Sequence, residues 1–247
     1  MRRTLRLAAL LLPLAIGPSV VHGNALIADL SRHLVAITTG FTGTDVLLFG
    51  TTEGEGDIAV VIRGPAEDVV VRRKEQVAGI WVNGRSLSFG NVPAYYAIAG
   101  TREIDDFVPE SLRLRHQIGA QYLRFENPKG ASDIEIGEFR TALLHNKATV
   151  GLYPPHEGHV SVLSGRLFRT PVTFPSNVPT GTYIVEVFLI RDGAVVSAQT
   201  TPLVVSRVGT EAEIFDFAHN YSALYGIVAI LIALVAGWLA GAIFRKA

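Results

Sequence analysis

The sequence has no cysteine and only one methionine, Met1. Without a thiol there is no disulfide framework, no Cys-ligated zinc, no iron–sulfur cluster and no cysteine nucleophile. Charge is sparse, at 18% against 49% hydrophobic residues. A disordered chain lacks that much apolar surface, so intrinsic disorder is excluded. Long apolar runs are few: there are two, one of them N-terminal, which excludes a polytopic membrane protein. A basic surface is lacking too. The whole chain balances 22 Lys+Arg against 22 Asp+Glu. Arg2, Arg3, Arg6, Arg245 and Lys246 sit at the two ends, so the part between carries 17 cations against 22 anions, a net of −5. Nucleic acid is not an expected partner.

The two apolar runs predict the topology. Residues 1–23 read as a secretory signal: Arg2, Arg3 and Arg6 precede an apolar stretch from Leu7 to Ile16, too short to span ~30 Å of hydrocarbon. Gly17-Pro18 breaks any helix there, and Gly23 and Ala25 suit cleavage. An uncleaved N-terminal anchor is the alternative. The second run, 220–244, holds no charge. At ~1.5 Å per residue it is long enough to cross a bilayer with some tilt. Tyr221 and Tyr225 near its start, and Trp238 and Phe244 near its end, fit aromatic belts at two interfaces. Arg245 and Lys246 follow, a charge pattern of the cytoplasmic side. Residues 24–219 are therefore expected outside the cytoplasm, with a linker at 211–219 and a cytoplasmic tail at 245–247.

The exported part reads as mainly β. Short runs rich in Val, Ile and Thr alternate with turn residues from Leu30 to Phe89 and again from Thr149 onward, at the spacing of a sandwich or barrel. Candidate strands include Asp57–Arg63, Thr149–Tyr153, Ile184–Ile190, Ala194–Thr200 and Leu203–Val208. Around Ile184–Ile190, Tyr183, Val185, Val187 and Leu189 share one face, with Ile184, Glu186, Phe188 and Ile190 on the other. Two hairpins are expected, at Asn83-Gly84 and at Asp192-Gly193. A Gly-x-Tyr lead into a strand and a tight hairpin make the second half immunoglobulin-like. Between the β regions, Leu114, Ile118, Tyr122 and Phe125 recur at helical spacing, with Pro109 before them and Asn127-Pro128 after. A second, short helix is expected around Phe139, Ala142 and Leu143. The organisation is then an N-terminal β domain over 24–100, a helical segment over 101–148 and an immunoglobulin-like β region over 149–210.

No catalytic constellation is present. There is no Gly-x-Ser-x-Gly elbow, phosphate-binding loop or His-Glu-x-x-His, and Ser31-Arg32-His33 is adjacency in sequence only. The protein is expected to be non-enzymatic, with no catalytic or cofactor-binding residues. For metal, His156 and His159 offer two imidazoles in an exposed loop. Two fall short of the usual ligand set, so a third from Glu157 or His145 is needed. The other reading of that loop is a solvated turn. Arg72-Arg73-Lys74 suits anionic headgroups, an acidic ligand or simply a solvated strand end. In the C-terminal helix, Ala229, Ala233, Gly237 and Gly241 recur every four residues and form one strip of small side chains. In lipid such a strip lets another helix approach closely.

Several stretches together resemble one family: Ala28-Asp29-Leu30-Ser31, Phe49-Gly50, Arg63-Gly64-Pro65, Gly79-Ile80-Trp81-Val82-Asn83, Val178-Pro179-Thr180-Gly181-Thr182-Tyr183, and Tyr225-Gly226 with Gly237-Trp238. The sequence is similar to the alphaproteobacterial transmembrane family Alph_Pro_TM over nearly its whole length. The resemblance implies a bacterial inner-membrane protein with a periplasmic ectodomain, and it implies no reaction. It also suggests an association with permeases of the sulfite-exporter TauE/SafE type. The expected function is thus an accessory or interaction subunit of a membrane partner, bound to the lipid bilayer and to that partner, or to its own copy, through the helix. The alternative is a periplasmic sensor of a ligand or metal.

Overall fold

The protein is described by a computed structural model over residues 26–209, 217–219 and 221–244, with side chains to Gly241. The expected signal (1–23), residues 24 and 25, most of the linker and the tail (245–247) lie outside the described residues.

Alternation of apolar and polar residues builds the sheets, and the described chain is mainly β. One sheet takes β1 (Leu26–Leu30), β3 (Gly43–Thr52), β9 (Ser161–Leu163) and β10 (Leu167–Pro175) in the order β1-β3-β10-β9. The second takes β2 (Leu34–Ile37), β4 (Asp57–Arg63), β7 (Tyr96–Gly100), β8 (Gly158–His159), β11 (Gly181–Arg191) and β12 (Ala194–Arg207) in the order β2-β12-β11-β4-β7-β8. Their facing sides share one apolar core. Leu48, Phe168 and Phe174 enter it from the first sheet, and Val60, Val185, Val187 and Leu203 from the second. Tyr95, Phe174 and Tyr183 meet within it at ring separations of 5.5 to 5.8 Å. The two hydroxyls are satisfied, Tyr95 donating to Thr173 O and Tyr183 to Pro179 O.

The β segments before and after the helical segment complete the same sheets. β10 pairs along β3 from Leu167↔Thr51 to Pro175↔Gly43, and β11 pairs along β4 from Ile184↔Arg63 to Ile190↔Asp57. A single side chain also ties the sheets at their rim. Ala28 N–H donates to Gln199 Oε1 at 2.9 Å, and Gln199 Nε2 donates to Ala28 O at 2.7 Å. Ala28 is buried, so Gln199→Ala leaves two backbone groups unpaired and is expected to cost about 2 kcal/mol in denaturant unfolding. A cost under about 0.5 kcal/mol contradicts the bridge.

In β4, every residue from Ile58 to Ile62 is buried. That strand is covered on both faces, which is why it reads as an unbroken apolar run. Its outer face, with Phe188 and Ile190 of β11, packs under Ile104, Phe107, Val108, Ile118 and Leu123 of the helical segment. β5 (Ala66–Val77) and β6 (Ile80–Pro93) form a long separate hairpin. Val71, Leu87 and Phe89 on it pack against Phe139 and Leu143.

Five expectations are corrected. The first hairpin turns at Ala78-Gly79, both at positive φ (50° and 83°), and Asn83 and Gly84 run within β6, Asn83 opposite Lys74. The expected first helix is broken into α2 (Glu110–His116) and a 3₁₀ turn at Ala120–Tyr122, because Gln117 is left-handed, and a separate short α1 (Ile104–Phe107) precedes Pro109. The second helix is long, α3 (Asp133–Thr149), started by Ser132, whose side chain accepts from Glu135 N–H. Thr149–Tyr153 is no strand: Thr149 closes α3 and the chain then turns. The expected strands Ala194–Thr200 and Leu203–Val208 are one, β12. The last element is α4 (Ser222–Phe244).

Candidate functional site

A cavity of about 460 Å³ lies beside β7, under the α2–3₁₀ region, α3 and residues 153–157. β8 pairs with β7 only at Ala99 and Gly100, so the edge at Ala97 and Ile98 opens into this space. Its floor is apolar, with Ile98, Ile118, Leu144 and Tyr153; its rim carries Gln121, His145, His156 and Glu157. Tyr96 builds one wall. Its hydroxyl donates to Gln117 O and accepts from Gly119 N–H, both at 2.7 Å. Those two bonds hold the loop in the conformation that ends α2: Gln117 is left-handed and Gly119 sits at φ 106°. Burial pushes the Tyr96 phenol well above its usual range.

Glu157 has a structural task at the rim. Its Oε2 accepts from Ile104 N–H at 2.9 Å, at the start of α1. Burial raises its pKa above the usual carboxylate value, against the pull of that amide, and the nearby Asp105 and Glu103 push it the same way as burial. His156 and His145 line the same cavity, but His159 does not: it stands in β8, opposite Gly100. Among the described residues, no group of three or more His, Cys, Asp or Glu is placed to hold a metal ion. The His156/His159 pair is therefore divided between a cavity rim and a strand.

Below α2, Arg63 is partly buried between Glu186, which pairs with it, and the His116 carbonyl, to which it donates. The His116 ring lies 4.9 Å from the Phe188 ring. Burial, then the cations of Arg115 and Arg63, hold the imidazole below its ordinary 6.5, while Glu186 pulls the other way. A histidine lowered on folding binds its proton more readily when unfolded. Stability is thus full above pH 6.5 and falls as the pH drops below it. Melting temperature should decline between neutral pH and about pH 5.5, and His116→Gln should flatten that decline. An unchanged slope in the variant contradicts this.

A second cleft, of about 660 Å³, opens where the β11–β12 turn meets α1. Two of its charged groups, Asp57 and Arg102, pair with each other. Asp57 accepts from Arg102 Nη2 at 2.8 Å and from Thr101 Oγ1 at 2.9 Å. The Arg102 hydrogen bond holds the Asp57 carboxyl below the usual range. The sequence marked its lining only as local structure, through the turn at Asp192-Gly193 and through Pro109.

α4 is apolar, and none of Ser222–Gly241 is buried inside the chain. Its 23 residues give about 35 Å, enough to cross the hydrocarbon. A Cβ placed at Gly226, Gly237 or Gly241 would meet nothing. The strip of Ala229, Ala233, Gly237 and Gly241 is therefore open along α4. Tyr221 and Tyr225 pack on Phe217 at ring separations of 5.9 and 6.4 Å, gathering aromatic rings at the start of the helix.

No curated protein matches this chain. Among solved structures, Spo0M, the sporulation control protein of Bacillus subtilis, is similar at 10% identity and a TM-score of 0.28. The match covers 81% of this chain and 56% of that one. A likeness at that level bears on neither fold nor function. Residues 25–246 match the family described as "Putative transmembrane protein (Alph_Pro_TM)", and the chain belongs to that family.

Proposed function

We propose that the protein is a non-enzymatic accessory subunit of the bacterial inner membrane. Its β-sandwich works in the periplasm, immunoglobulin-like in role as a rigid interaction module, and its C-terminus is cytoplasmic. α4 docks on a membrane partner such as a TauE/SafE-type permease, or on its own copy. One observation carries this reading: among the described residues α4 is buried at none of Ser222–Gly241, and it presents Ala229, Ala233, Gly237 and Gly241 as a single open strip. An anchor needing only hydrophobicity has no use for such a strip, whereas close helix packing requires it.

Crosslinking in native membranes tests the docking. A short diazirine side chain at Ala229 or Ala233 should give a discrete adduct. The same group at Leu231 or Val235, about half a turn away, should react with lipid only. Gly237→Ile with Gly241→Ile should abolish the adduct and leave membrane insertion intact. Equal reaction from both faces, or an adduct that survives both isoleucines, defeats the reading.

A periplasmic ligand sensor is the second reading, favoured by the cavity beside β7. Its size falls within the ~300–1,000 Å³ of small-molecule sites. Ala148, which lines it, offers the test: Ala148→Trp should abolish ligand-induced shifts in melting temperature across a panel of apolar metabolites. Metal analysis of the purified protein separates the metal form of this reading from the organic one.

A further inference from the structure

The β5–β6 hairpin changes character along its length. Its lower half is a wall of a core, with Val71, Leu87 and Phe89 buried against α3. Its upper half is exposed throughout apart from partial cover at Gly84. At the turn Val77 is 57% exposed, Ile80 68% and Trp81 65%, with Val82 beside them. Ala78 and Gly79 at positive φ make the turn tight, so these side chains form a defined tip. Single exposed apolar residues need no explanation, but four together on an open ribbon do.

Three observations say what covers the tip. The first is its register. Val77 lies opposite Ile80, and Val82 shares their face, but Trp81 lies opposite Gln76 on the other face. A protein groove would take one face of a ribbon; apolar groups on both faces suit a medium that is apolar all round. The second is charge. Arg72, Arg73, Lys74 and Arg85 stand just below the tip, with Glu75 as the one acidic residue between 72 and 86. Arg73 and Arg85 pair with Glu138 and Glu135 of α3, and Arg72 and Lys74 make no ion pair among the described residues. Tryptophan with cations behind it is the pattern of a lipid interface.

The third observation is position. The hairpin leaves the second sheet after Arg63 and returns at Tyr96, and those two residues pair. Arg63 also pairs with Ile184, which pairs with Pro202, and β12 ends soon after, at Arg207. The hairpin is thus rooted at the end of the sandwich from which the chain departs for α4. Its arm of 12 residues, Ala66–Val77, measures about 40 Å. Of the 14 residues between Arg207 and Ser222, 217–219 are helical and Tyr221 N–H donates back to Phe217 O, so the connection reaches at most about 40 Å, the length of that arm. The tether is long enough for the tip to touch the membrane.

We propose that the tip from Val77 to Val82 inserts into the interfacial layer of the bilayer that α4 spans, with Arg72 and Lys74 among the phospholipid headgroups. This rests on α4 as a membrane helix and not on any partner of that helix. Trp81 and Trp238 are the two tryptophans, so Trp238→Phe leaves Trp81 as a single reporter. The full chain is reconstituted into vesicles of phosphatidylethanolamine with a minor share of phosphatidylglycerol. Trp81 emission should shift to the blue, be quenched by lipids brominated near the headgroup end of the chain, and lose acrylamide quenching severalfold. Adding Val77→Asp and Ile80→Asp should restore water-exposed emission while the protein stays in the vesicles. A Trp81 as open to acrylamide as in that double variant overturns the proposal. Shielding that vanishes on dilution into excess lipid assigns the tip to a second copy and overturns it too. Protein that does not float with vesicles at all removes α4 as the anchor, a different failure from an inserted chain with a wet Trp81.

Discussion

Phe174→Ala should lower the unfolding free energy by about 3–5 kcal/mol. The ring is fully buried and lies 5.5 Å from both Tyr95 and Tyr183. Removing it leaves a cavity between two sheets, where a paired β10 and β3 cannot easily close up. The effect should also be global. Tyr95 comes from the chain before the helical segment, and Phe174 and Tyr183 from the chain after it. Denaturant unfolding of the detergent-solubilised protein, followed by far-UV circular dichroism, should shift as one transition. A loss under about 1 kcal/mol, or a variant that melts in two steps, contradicts a shared core.

Gly50→Ala should cost about 3 kcal/mol, at the upper end for overpacking. Its backbone φ is ordinary; space is the constraint. An added Cβ would stand 2.2 Å from Ile27 O and 2.5 Å from the Phe168 ring. Phe168 is fully buried, and Ile27 O belongs to the paired backbone of β1, so neither yields cheaply. Hydrogen exchange at residues 26–30 should accelerate in the variant as β1 loosens from β3. Gly137→Ala is the matched control. Nothing lies within 4 Å of a Cβ there, and the site is inside α3. It should stabilise by up to about 1 kcal/mol. Equal effects at the two positions would contradict the steric account.

Gly50 and Gly64 show what a sequence conveys and what it withholds. Phe49-Gly50 and Arg63-Gly64-Pro65 are among the stretches that mark the family, yet spacing alone gives no reason for them. The reasons are contacts between distant segments: Gly50 under Phe168, and Gly64 with Tyr95 N 2.8 Å and the Tyr183 ring 3.1 Å from a built Cβ. Local signals were legible where the structure they specify is local. Asp57–Arg63 is β4 with the same bounds, Asp192-Gly193 is a tight turn, and the two faces of β11 divide as alternation predicts. Asn83-Gly84 misled because a second two-residue turn lay nearby. The Ala78-Gly79 turn sets Val71 opposite Leu87, which places both against α3, and a turn at 83–84 would break that pairing. Of Leu114, Ile118, Tyr122 and Phe125, which share a helical spacing, Ile118 and Phe125 pack inward while Leu114 is exposed, and the Tyr96 hydroxyl bends the chain between them. For the site, adjacency pointed to His156 and His159. The cavity instead gathers His145 and His156 with Tyr96 and Ile118, a set spread from β7 to the start of β8 that only the fold brings together.

The absence of cysteine makes the central claim directly measurable. That claim is that α4 crosses the bilayer, with the β-sandwich on the periplasmic side and the C-terminus in the cytoplasm. One cysteine is placed at Thr38, an exposed position beyond β2, and in a second variant one is appended after Ala247. Intact spheroplasts are treated with a membrane-impermeant maleimide. The account predicts that Thr38→Cys labels at once, that the C-terminal cysteine labels only after lysis, and that both variants stay with the membrane through alkaline carbonate. Labelling in the reverse order, or protein in the soluble fraction, would contradict it.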